Sequence, residues 1–92
     1  MKFKVYHATQ PQFLPSSPPL DWPEDYELVA EVDATTPDTA FARTNSNGRH
    51  WSLQPGVTCF DPEARSTSIG DVVASSDGKV YRCESVGWRE IT

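Results

Sequence analysis

Basic side chains are missing from a long stretch of this chain: between Lys4 and Arg43 there is neither lysine nor arginine. The 92-residue sequence holds 8 Lys+Arg against 13 Asp+Glu, a formal charge of −5. That balance argues against a phosphate-binding surface spread over the whole molecule. Apolar runs are short as well. None approaches the roughly 18 residues that a membrane-crossing helix needs. Lys4, His7 and Gln10 interrupt the opening segment where a signal peptide would carry its apolar stretch. A cytoplasmic location is the expectation. Cysteine is scarce, with Cys59 and Cys83 the two present. A disulfide framework in a chain this short shows four or more. Both are expected as reduced thiols, Cys83 as a small core residue in a strand, with one internal disulfide as the alternative.

Motifs that carry chemistry are also lacking. There is no GxGxxG, P-loop, GxSxG or HExxH. His7, His50, Cys59 and Cys83 are isolated from one another, whereas structural zinc sites pair ligands two to four residues apart. Asp21, Glu24 and Asp25 lack the alternation, central glycine and terminal glutamate of an EF-hand, and Pro23 interrupts them. A Cys59–His50 nucleophilic pair would need an oxyanion donor and an orienting group that the sequence does not supply. No catalytic residue, metal or cofactor is expected, and the chain is not read as an enzyme. Arginines 43, 49, 65, 82 and 89 are dispersed and offset by acids, so direct nucleic-acid binding is the weaker reading.

What is present suffices for one domain spanning residues 1–92. Three Trp, three Tyr and four Phe can each bury about 150–250 Å². Residues 2–8, KFKVYHA, alternate as a strand, with Phe3, Val5 and His7 on one side and Lys2, Lys4 and Tyr6 on the other. Prolines 11, 15, 18, 19 and 23 make residues 9–23 an ordered loop pinned by Phe13, Leu14, Leu20 and Trp22. Residues 26–34 read as a second strand that pairs antiparallel with the first, with Leu28, Ala30 and Val32 sharing a face. Thr36-Pro37-Asp38 starts a short helix through Arg43, with Thr36 as N-cap. Asn45, Asn47 and Gly48 stop it. Residues 49–65 read as irregular.

Asp71–Ala74 and Lys79–Cys83 form a hairpin about Asp77-Gly78. A two-residue loop there sets Ala74 opposite Tyr81 and Val72 opposite Cys83. Residues 86–91 add a last strand after a bend at Gly87. The fold class is α+β: a small, mostly antiparallel sheet of four to five strands with one short helix packed on one face.

The acidity is local. Asp21, Glu24, Asp25, Glu27, Glu31, Asp33 and Asp38 all fall within residues 21–38, while residues 39–92 balance six acids against six bases. One reading is a solvated strand edge kept soluble by its charges. The functional reading is a coherent anionic face that docks a basic partner surface, with Trp22 and Tyr26 as aromatic anchors.

The run Arg65-Ser66-Thr67-Ser68-Ile69-Gly70-Asp71-Val72-Val73, followed by Gly78, Tyr81 and Ser85-Val86-Gly87-Trp88-Arg89-Glu90-Ile91, resembles the C-terminal signature of YodL-like domains. Residues 25–29, DYELV, resemble the tyrosine-containing strand upstream of it. The resemblance covers about 30 residues and implies an accessory module of phages, plasmids or other mobile elements. It supplies no catalytic residue. It implies structural roles: Ser66 and Ser68 at the turn, Asp71 bonding backbone amides where the strand starts, Gly78 and Gly87 at bends, and Trp88 as the closing aromatic.

The expected function is therefore a non-catalytic protein-binding accessory domain. In sharper form it is an acidic DNA mimic that inhibits a host defence nuclease. The alternatives are a structural or regulatory module acting as a homodimer through a strand edge, and a weak nucleic-acid-binding domain.

Overall fold

Alternation in the first strand sets the architecture. The computed structural model describes residues 2–10, 20–45 and 50–91. Strand β1 (Lys2–Ala8) lies at the centre of a six-stranded antiparallel sheet. The others are β2 (Tyr26–Asp33), β3 (Val57–Cys59), β4 (Val72–Ser75), β5 (Val80–Cys83) and β6 (Trp88–Glu90), in the spatial order β3-β2-β1-β4-β5-β6. Helix α1 (Pro37–Arg43) and a 3-10 turn at Trp51–Leu53 complete the described elements. The α+β class stands, and the strand number rises to six. The added strand is β3. Its three residues sit between Pro55-Gly56 and Asp61-Pro62, too short to show a period of two. Pairing to β2 through Cys59–Ala30 and Val57–Val32 makes it a strand.

Phe3 and Val5 point to the helix side, where they pack with Ala30, Val32, Ala40, Trp51 and Val73. Trp51 is fully buried, and its indole N–H donates to the carbonyls of Ala64 and Arg65 at 3.1 and 2.9 Å. Burying such a ring stabilises the fold by about 3–5 kcal/mol relative to alanine. Thr36 caps α1 by accepting from the Thr39 amide, with Pro37 in the first turn and Asp38 complementing the helix dipole. Ala40 and Thr44 are fully buried under it and Phe41 is half-buried.

The opposite face carries a smaller cluster. Tyr26, Val72 and Val80 are joined there by Tyr6, Ala8, Leu20, Trp22, Ala74 and Ile91. Leu20 and Trp22 pin the second arm of the proline-rich connection, whereas Phe13 and Leu14 lie outside the described residues. Asn47 and Gly48, expected as helix stops, also lie outside them.

Two expectations about register change. The β1–β2 register shifts between Val5 and Tyr6: Val5 pairs with Ala30 but Tyr6 with Leu28. This bulge sets two residues of β2 against one. Val29 and Ala30 therefore both enter the core, and Leu28 turns outward with Tyr6. In the β4–β5 hairpin, Ala74 pairs with Val80, Val73 with Tyr81 and Val72 with Arg82. Ser75 and Lys79 close a three-residue loop, in which Gly78 adopts φ +95° and donates its amide to Ser75 O. Only glycine takes that φ at little cost. The one-residue slip sends Tyr81 to the helix face and keeps Val72 and Ala74 on the other.

Candidate protein-docking site

One end of the sheet is assembled around a buried carboxylate. This is the end where β1 finishes, β2 and β4 begin, β5 finishes and β6 begins. Asp71 sits there, just before β4, with no solvent exposure. Its Oδ1 accepts from the Ala8 amide at 2.8 Å, and its Oδ2 from the Ser68 amide at 2.7 Å. Arg65 donates to both oxygens, at 2.6 and 2.9 Å. The same guanidinium donates to Ser66 O and Ser68 Oγ. The R-S-x-S-x-x-D run is thus a clamp: it folds residues 65–71 around one anion and ties them to β1. Each bond to a charged group contributes more than a neutral one.

Beside the clamp lies a chain of hydroxyls. Thr44 Oγ1 donates to Ala40 O at 2.9 Å, and Thr67 Oγ1 donates to Thr44 Oγ1 at 2.7 Å. Each hydroxyl has one proton. Thr67 must therefore accept from His7 Nε2, which lies 2.9 Å away. His7 Nε2 therefore carries a proton. Burial lowers its pKa from 6.5, with the Asp71 charge opposing and the Arg65 charge adding to that shift. No local pattern in the sequence connects His7 with Thr67 and Thr44. Its inward place in β1 was the available signal.

The expected anionic face is recomposed. Asp21, Glu24 and Glu27 are exposed on or just before the start of β2 and make no ion pair with a described residue. Asp25 joins them; its Oδ2 accepts from the Asp21 amide at 2.8 Å, and its carbonyl accepts from Thr9. Trp22 is half-buried and meets Tyr6 and Tyr26 edge-on, with centroids 4.8 and 5.5 Å apart. Tyr26 is buried in the second cluster, so it serves the fold and is withdrawn from the set of exposed anchors.

Three of the carboxylates leave this group. Glu31 and Asp33 lie toward the far end of β2, 3.9 and 3.2 Å from the Lys2 ammonium. Asp38 is on the helix and accepts from the Trp88 indole at 2.7 Å. The seven therefore do not form one surface. The strand carries some to its other end, and the chain then crosses to the helix face.

Two carboxylates from the second half of the chain lie at this same end of the sheet, toward its opposite edges. Asp61 follows Phe60, whose amide bonds Val29 O at 2.8 Å, and its charge acts on His7. Glu84 lies in the turn between β5 and β6, 3.9 Å from Arg89. Both come from the half of the sequence that balances its charges, so no local signal marked them.

The remaining motif residues hold the frame. Gly87, at φ +76°, takes the bend before β6. Trp88 ties β6 to α1 through Asp38 and by an edge-on contact with Phe41 at 6.1 Å. Ser66 is half-buried in the clamp.

Nucleophilic chemistry finds no support at Cys83. Burial and the nearby Asp71 and Glu84 charges push its thiol up to about 11, so almost no thiolate forms at neutral pH. Cys59 and Cys83 are both free. Among the described residues no three His, Cys, Asp or Glu side chains converge as metal ligands. No helix among them is long and apolar enough to cross a membrane. No family model matches the chain, and no curated protein or solved structure does.

Proposed function

We propose that this chain is a non-catalytic protein-binding accessory domain that docks a basic protein surface through the acidic end of its sheet. The observation that supports this reading is the group Asp21, Glu24, Asp25 and Glu27 around the start of β2, which pairs with no basic side chain among the described residues. Opposite potentials speed encounter and reject like-charged partners. The association with a mobile genetic element rests on the YodL-like resemblance of residues 65–91.

A DNA-mimic inhibitor needs carboxylates spaced along a row like backbone phosphates, about one charge per 1.7 Å of duplex axis. Glu31 and Asp33 are engaged by Lys2, and Asp38 by Trp88, so local docking is the better-supported form. The test is capture from a host lysate at low and high salt, comparing the parent with D21N/E24Q/E27Q. Binding that weakens with salt and disappears in the folded triple variant supports the proposal. Undiminished capture by that variant rejects it.

A homodimer is the second reading. It is favoured by the outer edge of β3, next to which Leu53 remains 65% exposed. Sedimentation over a concentration series decides it; a strict monomer at high concentration removes it.

A further inference from the structure

Arg43, the last residue of α1, carries a guanidinium that the fold leaves only partly engaged. Its Nη1 donates to Pro55 O at 2.6 Å. Its Nε is buried and has no hydrogen-bond partner. Among the described residues no carboxylate forms an ion pair with it. Asp33, which also borders Gly56, is 3.2 Å from the Lys2 ammonium instead.

Buried polar groups in folded proteins are nearly all paired, so an orphaned N–H beside a cavity calls for an acceptor. An open groove of about 470 Å³ lies beside Arg43, lined by Asp38, Thr39, Ala42, Arg43 and Gln54. Thr39 and Arg43 are one helical turn apart, as are Asp38 and Ala42, so the four make one strip of α1. Gln54 lines the groove from beyond the helix, its amide reaching Asn45 O at 2.8 Å and Ala42 O at 3.5 Å. The Pro55-Gly56 turn closes the Nη1 side: a Cβ on Gly56 would stand 3.4 Å from Nη1. That leaves the Nε–Nη2 edge, two parallel donors that match the two oxygens of a carboxylate.

Asp38, at the other end of the strip, decides the second group of the ligand. A dianion such as phosphate is repelled by it, whereas an ammonium is attracted. Five residues of helix separate the two charged positions, a rise of about 7 Å.

We infer that this groove binds a small amino carboxylate, with its carboxylate on the Nε–Nη2 edge of Arg43 and its ammonium toward Asp38. Nε is covered in the unliganded chain, and a shift of the Gln54 side chain admits the ligand oxygen. The inference does not depend on the acidic docking surface.

Nuclear magnetic resonance titration of the isotope-labelled full chain tests it, with γ-aminobutyrate, butyrate, butylamine and inorganic phosphate as probes. γ-Aminobutyrate is expected to bind in the low-millimolar range, at least about tenfold tighter than butyrate or butylamine, which each lack one charged group. Amide shifts should concentrate at residues 38–43 and 54–56, and phosphate should leave them unmoved. D38N keeps an oxygen for the Trp88 indole and is expected to reduce γ-aminobutyrate to the level of butyrate. R43K keeps the charge without the fork and should lose roughly tenfold.

No saturable shift with γ-aminobutyrate in the parent overturns the inference and leaves water as the partner of Nε. Equal binding of γ-aminobutyrate and butyrate by the parent, or undiminished binding by D38N, overturns the amino-carboxylate assignment. Shifts confined to other residues place the site elsewhere and also overturn it.

Discussion

Arg65 grips Asp71 through two parallel hydrogen bonds, Nη1 to Oδ2 at 2.6 Å and Nη2 to Oδ1 at 2.9 Å. The carboxylate is fully buried, while the guanidinium side chain is 42% exposed. Asp71 therefore carries the larger desolvation cost, and the Ala8 and Ser68 amides help to offset it. The pair organises the loop of residues 65–71 and ties it to β1.

Replacing Asp71 by Asn removes the anion from this clamp and leaves the donors around it competing for one neutral oxygen. The expected loss is about 3–4 kcal/mol in chemical denaturation. Arg65→Lys keeps the charge but not the fork and should cost roughly 1–2 kcal/mol. A D71N protein as stable as the parent would show that the clamp does not hold the loop.

The His7–Thr67–Thr44 chain predicts a distinct pattern. Thr67→Val keeps the side-chain shape but leaves His7 Nε2–H without its acceptor, at a cost of about 1–3 kcal/mol. Thr67→Ser retains the oxygen and should cost less. Thermal unfolding of the two variants distinguishes hydrogen bonding from packing; equal losses would favour packing.

Stability should fall on mild acidification. Burial lowers the folded-state pKa of His7 from 6.5. Below 6.5 the unfolded chain therefore takes up a proton at this site that the folded chain resists, and stability drops until the folded value is passed. Substituting His7 with Gln should flatten this part of the stability–pH curve, and an unchanged slope would place its origin elsewhere. Nuclear magnetic resonance titration of the imidazole should give a midpoint below 6.5.

The two thiols should react unequally. Cys83, buried and pushed up to about 11, should resist alkylation at pH 8, while half-buried Cys59 is modified first. Peptide mass mapping after brief iodoacetamide treatment reads this directly. Faster labelling of Cys83 would contradict the buried position.

Local patterns revealed much of the frame. Alternation in KFKVYHA identified β1 and its inward Phe3, Val5 and His7, and Thr36-Pro37-Asp38 marked the helix start. The Asp77-Gly78 pair located the hairpin but not its register, because the same residues serve two- and three-residue loops. Nothing near Val57–Cys59 distinguished a strand from a turn, since three residues acquire that identity by pairing with β2. The Val5/Tyr6 register shift was equally hidden: a bulge depends on how two strands meet, and β2 alone reads as regular alternation.

The amino-acid sequence by itself determined that carboxylates crowd residues 21–38 and that the chain forms a small α+β sheet domain, because charge counts and side-chain periodicity are local properties. Tertiary structure alone decided which acids stand together. It gave Glu31 and Asp33 to Lys2 and Asp38 to Trp88, and set Asp61, next to Phe60, beside β2. The reason is geometric: strand pairing and the crossover to the helix face join residues far apart in the chain, and electrostatic contact depends on distance in space.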